Sequence, residues 1–222
     1  MGMNIAIDGP SGAGKSTLAR KLAEKLNFIY VDTGALYRAV GLFVLRSGID
    51  PKNPEAVASV LPEVSVSLRF INGEQHVYLN GEDVSQDIRL HEVSHYASLV
   101  SAIPAVRQFL FETQRKMARE HSVVMDGRDI GTVVLPEADV KIFLTASAEV
   151  RAGRRFAELQ QRGQDVTFEQ VLADVNRRDE QDMNREVAPL KPAEDSVIID
   201  NSSCTFDESL ALLYKTVSER LS

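Results

Sequence analysis

The chain has 222 residues with a formal net charge of −7, 44% hydrophobic and 26% charged. These figures suit one globular α/β unit with embellishments, and the acidic balance argues against a nucleic-acid backbone as main partner. A single cysteine, Cys204, excludes an intramolecular disulfide framework and a cysteine-based zinc cluster, and no apolar run is long enough to span a bilayer. Met1 to Asn4 carries no signal peptide, so the expected setting is a reducing cytoplasm away from membranes, and the absence of an obvious exposed apolar stripe points to a monomer.

The first predicted element is the strand Asn4–Asp8. It runs into Gly9-Pro10-Ser11-Gly12-Ala13-Gly14-Lys15-Ser16, and a helix-like stripe follows through Leu18, Ala19, Leu22, Ala23 and Leu26. Two glycines with four residues between them, Gly9 and Gly14, then Lys and Ser, between a strand and a helix, form a phosphate-binding loop. The glycines let backbone N–H groups turn inward around phosphate oxygens, and the helix N-terminus adds partial positive charge. Lys15 can reach the β- and γ-phosphates, and Ser16 can offer its hydroxyl to Mg²⁺. The whole loop with Thr17 is therefore read as a nucleoside triphosphate site. It does not say what is done with the triphosphate.

A second strand, Phe28–Asp32, leads to Thr33. Between Val64 and Ile88 the pattern changes to period two, in Val64–Phe70 and again in His76–Asn80, with turn chemistry at Asn72-Gly73 and Asn80-Gly81. This predicts a small antiparallel sheet, either a surface decoration or a lobe that covers substrate. Three more apolar runs, Ser122–Asp126, Val140–Ala146 and Ser196–Asp200, complete a set of five core strands separated by helical stretches. That alternation predicts a doubly wound parallel sheet covered on both faces. Asp8, Asp32 and Asp126 end three of the strands, so the loops starting at Gly9, Thr33 and Gly127 should face one cleft beyond the carboxyl ends.

After Asp126 comes Gly127-Arg128-Asp129-Ile130-Gly131. Asp126 is placed to hold Mg²⁺-bound water, Arg128 to meet a phosphate, and Asp129 to accept from an amine. The region Ser147–Pro192 is helical in pattern and rich in arginine. Arg151, Arg154 and Arg155 share one helical face, Arg162 follows in a loop, and Arg178, Asp182 and Arg185 share another face. Such arginines suit phosphoryl transfer, where charge spreads over the equatorial oxygens. They equally suit solvated helix faces, because Glu149, Glu158, Asp174, Asp179 and Glu180 lie nearby. An Asn-Lys-x-Asp guanine element and a Ser-Gly-Gly-Gln transporter signature are both absent.

Together, Gly9–Ser16, Asp32-Thr33-Gly34-Ala35-Leu36-Tyr37-Arg38, Ile103-Pro104-Ala105-Val106-Arg107, Asp126–Gly131 and Arg178–Leu190 resemble the bacterial cytidylate kinase family over essentially the full length. The resemblance implies one P-loop kinase domain over 1–222, with a monophosphate-binding β insert at 60–99 and a short arginine-rich lid at 150–165. It implies transfer of the γ-phosphoryl of ATP to CMP or dCMP, with Mg²⁺. By the same resemblance Thr33, Tyr37 and Arg38 line the monophosphate pocket. Ser98, Arg107 and Asp129 would read the cytosine edge, and Arg128 would contact the acceptor phosphate. Arg178 would reach the phosphates, Asp182 the sugar and Arg185 both, while Arg154, Arg155 and Arg162 would form the lid over ATP. The implied catalytic set is Lys15, Arg128, Arg154, Arg155, Arg178 and Arg185. Two other readings stay open: a P-loop kinase for another small acceptor, with Asp32 recruited as base, and a nucleotide-binding switch that does not turn over.

Overall fold

The computed structural model describes residues 2–71 and 74–221. Its centre is a sheet of five parallel strands in the order β2-β6-β1-β7-β8. The strands are β1 (Asn4–Asp8), β2 (Ile29–Asp32), β6 (Val123–Gly127), β7 (Val140–Thr145) and β8 (Val197–Asp200). The three central ones are the most buried, because helices cover both faces, and this is why their sequences read as nearly continuous apolar runs. On one face α1 (Lys15–Leu26) and α8 (Phe206–Leu221) pack Leu18, Leu22, Leu213 and Val217 against Ile5, Ile7, Ile142 and Leu144. The other face carries Ala6, Val31 and Met125 against Ala118 of α5 (Pro104–Glu120) and Ile130 and Val134 of a π-helical turn, Ile130–Val134.

The chain leaves β1 toward β2 on one side and leaves β7 toward β8 on the other. The crevice between adjacent β1 and β7 is thus the point where the winding reverses, and such points hold ligands. The expected loop at Thr33 is not a loop. Asp32 caps α2 (Thr33–Arg46) directly, its Oδ1 accepting from Ala35 N at 3.0 Å.

Between α2 and β6 stand α3 (Pro54–Val60), the antiparallel strands β3 (Val66–Ile71), β4 (Glu74–Leu79) and β5 (Glu82–Asp83), and α4 (His91–Val100). The turn at Asn80-Gly81 has φ of +49° and +86°, as its residue types demand. The other turn, Asn72-Gly73, lies outside the described residues. Residues 60–99 therefore hold a helix as well as the small sheet. Val93, Ala97 and Val100 of α4 are buried, and α4 lies close along α2: a Cβ built on Gly41 would come 2.8 Å from Ala97 N. Gln75 of β4 ties the insert to the core, accepting from Asp32 N at 2.9 Å and donating to Asp32 O at 3.3 Å.

The arginine-rich region forms α6 (Ala148–Gln161) and α7 (Phe168–Met183). Residues 150–165 make up most of α6 and the turn after it. The helix that carries Arg178 and Asp182 ends at Met183, so Arg185 sits beyond it and not on a continuing helical face. Among the described residues no helix is long and apolar enough to cross a membrane.

Candidate active site

The phosphate-binding loop leaves the crevice edge at Gly9, whose φ is +148°. A Cβ there would lie 1.9 Å from Leu144 O of β7, so only glycine lets the loop pass. Gly9→Ala is expected to abolish soluble folded protein or to lower the thermal midpoint sharply. Thermal denaturation against wild type checks this, and an unchanged midpoint would contradict it. Lys15 is 5% exposed, and its Nζ donates to Pro10 O at 2.7 Å across the loop. Burial pushes its pKa well below the ordinary lysine value, and the neighbouring Arg128 guanidinium adds to that.

Two side chains from later in the chain hold the loop from outside. Arg151 of α6 donates to Ser11 O at 3.1 Å, to Ala146 O at 2.8 Å and to both carboxylate oxygens of Asp179 on α7, at 3.0 and 2.5 Å. Asn201, just after β8, donates to Ala13 O at 3.0 Å, while Arg154 donates to Asn201 Oδ1 at 3.2 Å and Asn201 O at 3.0 Å. The face shared by Arg151, Arg154 and Arg155 therefore splits. The first two bind the loop's surroundings, and Arg155 pairs with Glu158 at 2.7 Å. Arg162 also pairs with Glu158, at 2.7 Å, and stays more than half exposed. In this conformation neither Arg155 nor Arg162 joins the cleft cluster.

The three carboxylates at the strand ends lie side by side, since Asp8 is in register with Gly127 and Asp32 with Asp126. Asp126 is the hub. Its carboxylate accepts from Ser16 Oγ at 2.8 Å and from Tyr30 Oη at 3.0 Å, and its carbonyl accepts from Thr33 Oγ1 at 2.7 Å. Burial raises its pKa, with the Asp32 charge adding to the effect. Burial likewise raises the Tyr30 hydroxyl far above its usual range. Asp32 pairs with Arg38 at 2.7 Å. Asp8, 4% exposed, accepts from Ile130 N and Gly131 N, both at 2.7 Å.

Gly127 opens the most charged part of the cleft. Asp129 pairs with Arg107, both buried, and the Arg107 guanidinium stands 5.7 Å from the Tyr37 ring centre. Arg107 also donates to Ser101 O at 3.3 Å. Beside that pair, Asp182, 1% exposed, takes Arg128 Nε at 2.8 Å on one oxygen and Arg185 on the other. Burial alone would raise the Asp182 carboxyl, but Arg128 and Arg185 hold it below the ordinary value. Arg178 has no such partner for its buried Nε, and burial with the like charge of Arg128 pushes its pKa down to about 10. Arg38 Nε and Arg185 Nε are also buried without a partner. Several guanidinium groups thus converge with donors to spare, which is the chemistry of a site for a multiply charged anion. A cavity of about 440 Å³ opens against Tyr37, Arg107, Gln108, Phe111 and Val133. Ser98 does not line this cavity, and it exchanges hydrogen bonds with Gln181 at 3.2 Å each.

The fold therefore brings together Lys15, Ser16, Thr33, Arg38, Asp126, Arg128, Arg178, Asp182 and Arg185 in one cleft, with Tyr37, Arg107 and Asp129 adjoining. Thr17 is exposed on the first turn of α1. Residue patterns did not single out Asp8, Tyr30, Gln75, Asp179, Gln181 or Asn201 as parts of the site. Asp8 had a signal, being one of three carboxylates that end strands. Tyr30 had one too, as the polar tip in an apolar strand.

The sequence matches the family described as "Cytidylate kinase" over residues 5–219. A protein named cytidylate kinase from Caldicellulosiruptor bescii is 50% identical over 223 residues, covering 99% of both chains. One of the same name from Desulforamulus reducens is 52% identical over 204 residues, covering 92% of this chain and 91% of its own. Among solved structures, an uncharacterized protein from Eubacterium ventriosum aligns with a TM-score of 0.54 at 17% identity, over 97% of this chain and 98% of its own. A shikimate kinase from Bacteroides thetaiotaomicron aligns at 0.50 and 14% identity, with the same coverage. These two likenesses speak to the P-loop kinase fold alone. The family match and the full-length relatives go further: this chain belongs to the cytidylate kinase family.

Proposed function

We propose that the chain transfers the γ-phosphoryl group of ATP to the phosphate of CMP or dCMP, releasing ADP and CDP or dCDP. The observation that carries this reading is the convergence on Gly127–Asp129. That segment bears one arginine of the anion cluster, Arg128, and one member of the buried Arg107–Asp129 pair. It is bonded in register to the strand that launches the phosphate-binding loop.

The acceptor phosphate is its own nucleophile, since its second pKa of about 6 leaves it ionised near neutral pH, and no protein base is required. An acceptor oxygen bonds to the γ-phosphorus while the bridge to the β-phosphate breaks, and the electron pair leaves on ADP. Lys15 and the loop amides hold the donor phosphates, and Arg38, Arg128, Arg178 and Arg185 hold the acceptor phosphate and the charge that develops between the two. Asp182 keeps Arg128 and Arg185 aimed while it receives the sugar. For Mg²⁺, the adjacent Ser16 hydroxyl and Asp126 carboxylate are the hard oxygen donors that fit, and among the described residues no group of three or more His, Cys, Asp or Glu offers a full protein cage. When bound, Mg²⁺ neutralises charge on the β- and γ-oxygens.

Cytosine presents an amine donor beside ring acceptors. Asp129 accepts from the amine and Arg107 donates to the acceptors. Uracil turns an acceptor toward Asp129 and leaves the carboxylate oxygen not held by Arg107 without a donor, at a cost of about 1–3 kcal/mol. The test is ADP release from Mg-ATP with CMP, dCMP, UMP, AMP or GMP and with no acceptor, for wild type and Asp129→Ala. CMP and dCMP should dominate, and Asp129→Ala should narrow the CMP:UMP ratio by about tenfold or more. Turnover with AMP or GMP alone would overturn the base assignment, and ATP binding without ADP release on any acceptor would favour a switch.

A further inference from the structure

The Asp8 carboxyl takes no part in the transfer as derived above, yet it is among the most buried titratable groups in the cleft. It ends β1, and the next residue, Gly9, is locked against Leu144 of β7. Its two oxygens reach across to β6's outgoing segment and accept from successive amides, Ile130 N and Gly131 N, at 2.7 Å each. Those amides begin the π-helical turn immediately after Arg128 and Asp129. On their own side of the crevice, Asp129 O accepts from Val133 N at 2.9 Å and Val134 N at 3.2 Å, bonds internal to the segment. Arg128 is held by Asp182 and its neighbour Gly127 O, and Asp129 by Arg107. Beyond the sheet register that ends at Asp8 and Gly127, the Asp8 side chain extends the link between the donor loop and the acceptor-reading segment past Arg128 and Asp129.

We propose that Asp8 is a positioning residue, clamping the Arg128–Asp129 segment to the strand that carries the phosphate-binding loop and so fixing acceptor phosphate and base relative to the donor. This rests on the kinase reading above. A neutral residue of the same shape, Asp8→Asn, keeps one acceptor oxygen but turns an NH₂ toward a backbone N–H, so at least one of the two hydrogen bonds is lost. A role in folding alone would lower the thermal midpoint and leave substrate discrimination intact. A positioning role separates the kinetic constants.

The experiment compares wild type, Asp8→Asn and Asp8→Ser, which keeps a single hydroxyl acceptor. The readouts are steady-state kinetics with CMP and UMP and hydrogen exchange at the Ile130 and Gly131 amides. Expected are a fall in kcat/KM for CMP of about ten- to a hundredfold, a smaller CMP:UMP ratio, a KM for ATP close to wild type, and faster exchange at both amides. An unchanged CMP:UMP ratio with unchanged exchange would overturn the proposal. So would failure of both variants to fold, because Asp8 would then be a folding residue. If wild type itself fails to turn over CMP, the kinase reading falls while the exchange data still decide whether the clamp exists.

Discussion

Lys15→Ala is expected to lower kcat by about 10²–10³-fold while leaving the affinity for CMP nearly intact. The side chain lies inside the phosphate-binding loop, on Pro10 O, and its ammonium has nothing to gain from the acceptor's base or sugar. It matters where charge builds between the two phosphates, so its loss falls on the chemical step. Unfolding is separable from this. The folded chain binds the Lys15 proton less tightly than the unfolded chain, so this residue's part of the stability rises with pH from about 7 toward the ordinary lysine value of 10.5. At pH 7 the wild type therefore gains little from Lys15, and the alanine variant should melt no earlier. Kinetics with saturating and limiting CMP, beside a melting curve, check both halves. Equal turnover of variant and wild type would sink the mechanism.

Asp182→Asn is the second large effect, and it falls first on stability. Asp182 is 1% exposed and neutralises Arg128 and Arg185 at once, with Arg178 close enough to feel its charge. Removing one partner from such a group leaves buried guanidinium charges facing each other, a loss of about 3–5 kcal/mol. The released donors should also make the nucleotide-free variant an avid anion binder. Urea denaturation should show the destabilisation, and added inorganic phosphate should restore more stability to the variant than to wild type by binding the folded form. A variant as stable as wild type, or one that phosphate does not rescue preferentially, would show that Asp182 is not what holds the cluster together.

The sheet was legible in the residues because covered parallel strands must be apolar throughout, and all five runs became strands within a residue or two. The phosphate-binding loop was legible because its chemistry is local: glycines, lysine and serine act within one turn. The α4 helix inside the insert carried its own stripe, Val93, Ala97 and Val100, but followed a period-two segment that drew the reading toward strands alone. Less legible were side chains whose partners are remote. Arg151 and Asp179 look like surface charges on amphipathic helices until α6 and α7 pack together against Ser11. Gln75 resembles any polar residue of a hairpin, and only the docked insert shows it holding Asp32 at both backbone atoms. The helical period also ran past its end at Arg185, because the spacing that puts it near Asp182 survives the break after Met183.

The strand order has a consequence for synthesis. β1 is made first, yet both of its neighbours come late: Asn4 pairs with Val123, and Ile5 with Val140. Until the ribosome has released the chain through Gly127, β1 has no hydrogen-bonding partner on either side, and until Thr145 it lacks the second and Gly9 has no Leu144 to lie against. The segment most recognisable in the sequence is thus among the last to acquire its native surroundings, after a long search for non-local contacts. A nascent chain that stops short of β6 carries every residue of the phosphate-binding loop and neither of the strands that flank β1.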